Sequence, residues 1–172
     1  ISTAQLYGGT YRLMRDILPD LGIRTRFVES DLAGIADCLD PRTKALYVET
    51  PTNPTLRLVD LRQAAAFAKK HGLVSIIDNT FATPIQQQPA ALGYDLVAHS
   101  ATKYLGGHSD LIAGAVAGSR KWIARVRHMV INLGGSLDPQ AAHLLIRGMR
   151  TLGVRLERQC ANAMAVAKFL ER

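Results

Sequence analysis

Leu73-Val74-Ser75-Ile76-Ile77 runs straight into Asp78-Asn79-Thr80. A run apolar at nearly every position predicts a strand covered on both faces, which is the habit of parallel sheets. The abrupt change to a carboxylate, an amide and a hydroxyl puts polar chemistry at the strand's carboxyl end. In open α/β sheets that is where ligands gather.

Working outward, the chain alternates short β-rich runs with longer helical ones. Upstream, Asp60 caps a predicted alanine-rich helix through Lys70, and His71-Gly72 ends it. Before it lie a strand at Ala45-Leu46-Tyr47-Val48 and the loop Glu49-Thr50-Pro51-Thr52-Asn53-Pro54. Earlier still, the pattern predicts a helix from Tyr11 to Leu21 with Leu13, Met14, Ile17, Leu18 and Leu21 on one side. A short strand over Arg24–Val28 and a helix from Asp31 to about Leu39 follow it. Downstream come a long loop from Asp78 to Leu92 and strands at Asp95–Ala98 and Ile112–Ala117, the latter expected to be buried. Helices are predicted over Arg120–Val130, Pro139–Leu152 and Val154–Glu171. The alternation predicts an α/β fold, a mostly parallel sheet sandwiched by helices. Trp122, the methionines and the alanine-rich helices read as core packing.

Length and composition suit one such domain: 172 residues, 48% hydrophobic and 20% charged. No run approaches the ~20 apolar residues of a membrane span, and the start shows no signal-peptide pattern. Cys38 and Cys160 are far apart without CxxC spacing, which argues against a disulfide framework or a cysteine zinc site and makes the cytoplasm the default compartment. The net charge of +7 suits an enzyme that holds phosphates or carboxylates, and equally permits nucleic acid. Arg120, Lys121, Arg125 and Arg127, with Arg147, Arg150, Arg155 and Arg158, read better as a solvated or subunit-facing surface than as a nucleic-acid site. His99, His108 and Asp110 read as hydrogen-bonded scaffold, and no metal site is expected. Neither a P-loop nor a GxGxxG fingerprint occurs, so nucleotide binding has no support.

Three strand ends concentrate the remaining chemistry. Asn53 sits between prolines, Asp78 ends a buried run, and Lys103 lies in His99-Ser100-Ala101-Thr102-Lys103-Tyr104-Leu105-Gly106-Gly107-His108-Ser109-Asp110. Each alone has an ordinary reading: turn chemistry for the asparagine, a cap for the aspartate, a surface charge for the lysine. Together they describe something more specific. A lysine in a partly dry cleft has its ammonium form disfavoured and can attack an aldehyde. Neighbouring hydroxyls and glycine N–H groups suit a phosphate, and a buried carboxylate suits a protonated pyridine nitrogen. Aldehyde, phosphate and pyridinium make pyridoxal 5'-phosphate the expected cofactor.

Tyr7-Gly8-Gly9-Thr10-Tyr11, Glu49-Thr50-Pro51-Thr52-Asn53-Pro54, Asp78-Asn79-Thr80-Phe81-Ala82-Thr83-Pro84 and Ser100 to Asp110 occur in that order. In this combination the chain closely resembles the Cys/Met-metabolism (trans-sulfuration) family of pyridoxal-phosphate enzymes. The resemblance implies a fold-type I large domain. It implies that Lys103 forms the Schiff base and shuttles the α-proton, that Asp78 bonds the pyridine nitrogen, and that Tyr7 stacks on the ring and assists proton transfer. Asn53 would bond the ring's phenolic oxygen, and Ser100 and Thr102 the phosphate.

For the whole protein it implies γ-elimination or γ-replacement on a small amino-acid substrate, of the cystathionine γ-synthase or γ-lyase type. Homoserine-ester sulfhydrylase or methionine γ-lyase chemistry is the alternative within the family, and a non-catalytic fragment the alternative outside it. Methionine γ-lyases often carry Cys two residues after the stacking tyrosine, where this sequence has Gly9. The family pattern further implies a cytoplasmic homo-oligomer, a tetramer assembled from dimers, without nucleic-acid or membrane partners. Residues 1–152 would be the central part of the cofactor-binding domain, lacking the family's N-terminal segment. Residues 153–172 would form a helix leading toward a C-terminal domain that supplies the carboxylate-binding arginine.

Overall fold

The structure is a computed structural model that describes residues 1–171. Its centre is a six-stranded sheet of β1 (Ser2–Thr3), β2 (Phe27–Val28), β3 (Ala45–Glu49), β4 (Val74–Asp78), β5 (Leu96–Ser100) and β6 (Gly114–Gly118). The order is β2-β1-β3-β4-β5-β6, parallel except for β6, which runs antiparallel to β5. The helices are α1 (Gly8–Arg12), α2 (Leu61–Lys70), α3 (Thr83–Gln86), α4 (Arg120–Leu133), α5 (Pro139–Met149) and α6 (Leu152–Leu170). The expected α/β fold with a mostly parallel sheet is what forms, and no described helix is long and apolar enough to cross a membrane.

One core dominates. Leu61, Ala64, Ala65 and Ala68, at helical spacing on α2, pack against Leu46, Val48, Ile77 and Val97 of the central strands. Leu46, Val48 and Ile77 are fully shielded from solvent. Asp60 caps α2 as expected, its Oδ1 accepting from the N–H groups of Arg62 (2.9 Å) and Gln63 (3.0 Å). Gly72 carries the chain away at φ 64°, a conformation that suits glycine. A smaller cluster, Ala101, Leu105 and Leu152, lies under the turn that follows β5.

Several expectations need correction. No helix spans Asp31 to Leu39; a 3₁₀ turn over Ile35–Cys38 replaces it. Asp31 Oδ1 accepts from Ala33 N–H (2.9 Å) in a local turn, and positive φ at Leu32 and Gly34 breaks the right-handed path. The first helix starts earlier, at Gly8, widens to a π-helix over Leu13–Ile17 and tightens to 3₁₀ over Leu18–Leu21. Its expected apolar side is uncovered in this chain, with Ile17 and Leu21 more than half exposed.

β6 is likewise a mostly exposed edge strand rather than a buried one. Its small residues allow close pairing: a Cβ at Gly118 would stand 2.4 Å from the Asp95 carbonyl oxygen. Met129, Met149 and Met164 are exposed too, against the core reading, and α6 beyond Leu156 is exposed on every side. Trp122 is half-buried, its Nε1 donating to Asp95 Oδ1 at 3.1 Å.

Because the α2 core is the largest packed unit, Leu46→Ala should destabilise the protein by about 2–5 kcal/mol. Denaturant unfolding would register this as a lower midpoint at unchanged slope; an unaltered midpoint would show that the core lies elsewhere.

Candidate active site

Parallel register brings the polar strand ends to one edge of the sheet. Glu49, last residue of β3, stands opposite Asp78, last residue of β4, and Asp78 is in turn opposite Ala98 of β5. Ser100 closes β5 two residues further on.

Asp78 is held from the loop that follows it. Its Oδ1 accepts from both the backbone N–H (2.9 Å) and the hydroxyl (2.5 Å) of Thr80. The Thr80 Oγ1 then accepts from the Ser100 N–H at 2.7 Å. Ser100's carbonyl accepts from Lys103 N–H (3.1 Å), and Lys103's carbonyl from Gly107 N–H (2.7 Å). A continuous hydrogen-bonded path therefore joins the carboxylate of β4 to the lysine turn after β5. Asn79, fully buried, keeps the loop in place. Its amide donates to the Gln87 carbonyl (3.1 Å) and accepts from Gln87 Nε2 (2.7 Å).

Glu49 performs the second assembly. Its buried carboxylate accepts from Tyr7 N–H through Oε2 (2.8 Å) and from Asn53 N–H through Oε1 (3.0 Å). One side chain thus fixes the start of α1 and the proline loop beside Asp78. Burial pushes its pKa up, aided by the charge of Asp78, while the two N–H bonds pull it down; the balance is upward. Tyr47 lies nearby, and its phenol pKa is raised by burial first and then by the charges of Asp78 and Glu49. His99 is half-buried; burial lowers its pKa against the opposing pull of Asp78.

The expected site residues fall into two groups. Asp78, Ser100, Thr102 and Lys103 share the β4–β5 edge, while Tyr7 and Asn53 are brought together by Glu49. Tyr7 is 56% exposed, its ring flush against Gly9, where a Cβ would stand 2.6 Å from Cε1. Lys103 is exposed rather than sunk in a dry cleft. Its turn lies at the open edge of the sheet, with only the small cluster of Ala101, Leu105 and Leu152 beneath it. Thr102 is occupied locally, its Oγ1 accepting from Ala113 N–H (2.9 Å) and donating to the Ala113 carbonyl (3.3 Å). His108 Nδ1 faces the Gly106 carbonyl at 2.8 Å, a scaffold contact. A cavity of about 290 Å³ beside Asn53 is lined by Gln5, Gly8, Tyr11 and Thr55 among others, but neither Asp78 nor Lys103 lines it.

The donor set suits pyridoxal phosphate: a carboxylate pinned through one oxygen, with further acceptor capacity, and hydroxyls and an amine one strand away. Over residues 1–172 the sequence matches the family described as Cys/Met metabolism PLP-dependent enzyme. The chain belongs to that family.

Other Cys/Met-metabolism proteins agree across nearly its whole length. It is 50% identical to a cystathionine gamma-lyase of Bacillus subtilis, over 99% of this chain and 46% of that protein. With an L-methionine gamma-lyase of Pseudomonas putida it shares 42% identity over 97% of this chain and 43% of that protein. A solved cystathionine gamma-lyase from Lactobacillus plantarum, complexed with L-serine, superimposes with a TM-score of 0.95 at 41% identity. That match covers 99% of this chain and 45% of the other. The chain thus spans about half the length of the curated relatives it matches.

Glu49 and Thr80 stood inside the motifs without a role. The signal for Thr80 was local, a hydroxyl two residues after a strand-ending aspartate. For Glu49 the bond that joins the two segments could not be read, because its partner Tyr7 is 42 residues away.

Glu49→Gln replaces two good acceptors by one, so an N–H of Tyr7 or Asn53 must face an amide. A loss of about 1–3 kcal/mol is expected. A pH effect accompanies it. With the folded pKa raised, the native state keeps a proton the unfolded chain releases, so wild-type stability falls as pH rises through that window. In thermal unfolding from about pH 4 upward, wild type should lose stability relative to the variant as pH rises. Parallel profiles would contradict the assignment.

Proposed function

We propose that the protein containing this chain is a pyridoxal-phosphate enzyme of sulfur amino-acid metabolism that eliminates or replaces a γ-substituent, of the cystathionine γ-lyase or γ-synthase type. The observation that carries this reading is the bonded path Asp78–Thr80–Ser100–Lys103 at the carboxyl edge of the sheet. It joins one carboxylate to the backbone that carries one primary amine. Family membership and the lyase relatives support the reaction class.

In this reading, Asp78 accepts the N–H of the cofactor's ring nitrogen, and Thr80 keeps the carboxylate aimed at it. When bound, the cofactor supplies an electron-poor ring that takes up the electron pair left at the substrate's α-carbon. Lys103 would hold the cofactor, and its Nζ would be the base that takes the substrate's α-proton and returns it further along the substrate. Such a base works best with its pKa near the working pH. In this chain Lys103 is exposed, so the low-dielectric surroundings that disfavour an ammonium would come from parts of the protein packed over this edge. Tyr7 would cover one face of the ring and Asn53 would bond its phenolic oxygen. Ser100 and Thr102 would hold the phosphate, the Thr102 hydroxyl turning its O–H away from the Ala113 carbonyl to do so.

Residues 1–152 would belong to the cofactor domain, and 153–172 to a helix leading toward a C-terminal one. α6 already starts at Leu152, so that division falls at a helix start rather than in a linker. We further propose a cytoplasmic homo-oligomer, a tetramer built from dimers. The uncovered apolar residues Leu13, Ile17, Leu21, Ile23 and Leu58 support an assembly.

The complete protein mixed with cofactor should turn yellow, and borohydride should fix the label on Lys103. Offered cystathionine, acetylhomoserine, succinylhomoserine and methionine, it should process cystathionine or a homoserine ester fastest. Methionine as the best substrate would select methionine γ-lyase chemistry, and a homoserine ester used with sulfide in preference to cysteine would select the sulfhydrylase alternative. Lys103→Ala should cost on the order of 10²–10⁴-fold in turnover. A folded, colourless protein would overturn the enzyme reading in favour of a non-catalytic role.

A further inference from the structure

Arg155 stands in the first turn of α6, among arginines whose sequence pattern suggests a solvated face. Its guanidinium is turned instead onto the lysine-bearing turn. Nη2 donates to the carbonyls of Tyr104 (2.9 Å) and Gly148 (2.9 Å), and Nε donates to Thr151 Oγ1 (3.0 Å). The Thr151 hydroxyl donates to the same Gly148 carbonyl at 3.2 Å. Among the described residues, the ion pairs are those of Arg15, Arg26 and Arg42, so no carboxylate engages this guanidinium. Carbonyl oxygens answer its charge.

Two glycines make room for the contact. Gly107 has φ 76°, and a Cβ there would lie 2.1 Å from Arg155 Nη1. At Gly148, buried at the end of α5, a Cβ would lie 2.1 Å from the Gly106 carbonyl oxygen. Gly107 N–H also donates to the Lys103 carbonyl, so the guanidinium packs against the residue that closes the lysine's own turn. Beneath it, Ala101 and Leu105 of that turn meet Leu152 of α6.

We infer that Arg155 is a positioning residue for Lys103: a planar fork that locks the turn 103–107 to the junction of α5 and α6 and so sets where the amine stands. The chemistry suits arginine specifically. Three donors in one rigid plane span two carbonyls and a hydroxyl, which the point charge of a lysine does not. The inference rests on the proposed cofactor-holding role of Lys103.

Arg155→Lys and Gly107→Ala test it in the complete protein, the second displacing the guanidinium without removing it. In cofactor-free protein, deuterium exchange at the amides of residues 103–107 should quicken in both variants. In the loaded enzyme the pH midpoint of the cofactor's visible band should move. Turnover should fall about 10- to 100-fold with KM within about threefold, as expected for a misplaced reacting group. Arg155→Ala should recover part of its turnover when guanidinium ion is added at low concentration. Wild-type exchange, band midpoint and turnover in Arg155→Lys would overturn the proposal while leaving the role of Lys103 standing. A wild-type protein without any cofactor band would overturn both.

Discussion

The Thr80 hydroxyl, donating to Asp78 and accepting from Ser100 N–H, is the contact on which the site depends. It ties the ends of two adjacent parallel strands through a single side chain. Strand ends are otherwise the least constrained part of a sheet, because ladder hydrogen bonds stop there. A hydroxyl that both donates and accepts extends the constraint past the last ladder bond, to the residues that carry charge. Without it, the ladder would still hold Asp78 beside Ala98, but no side chain would link the carboxylate to the start of the lysine turn.

The two assembly devices differ in kind. Thr80 works within neighbouring elements, whereas Glu49 gathers segments distant in sequence, the start of α1 and the proline loop, by accepting two backbone N–H groups. Burying such a carboxylate is costly unless its bonds are made, so Glu49 favours the one arrangement that makes them. The raised pKa records the residual cost. Arg155 adds a third constraint, from α6 onto the far side of the lysine turn, so that turn is held from both ends.

Much of the fold was legible because its signals are local. The apolar run Leu73–Ile77 and the Asp60 cap each carry their meaning within a few residues, and both formed as expected. Asp31 carried the same kind of signal and misled, because positive φ at Leu32 and Gly34 turned the chain. The burial expected for the Ile112–Ala117 strand and for Met129, Met149 and Met164 failed for a different reason. This chain spans about half the length of its relatives, and a hydrophobic pattern does not say which surface will cover it. Among site residues, the motif residues were identifiable as chemistry-bearing types. Glu49, though inside a motif, and Arg155 carried no readable role, because each is tied to a backbone group far along the chain, 42 and 51 residues away.

Nitrogen-15 NMR of ring-labelled cofactor, bound to the complete protein and to its Asp78→Asn variant, probes the central proposal directly. A protonated ring nitrogen is expected in wild type across neutral pH and its loss in the variant, with Lys103 still binding the cofactor. An identical nitrogen signal in both proteins would mean that the carboxylate at the end of β4 does not serve the ring, and the proposed site would be wrong.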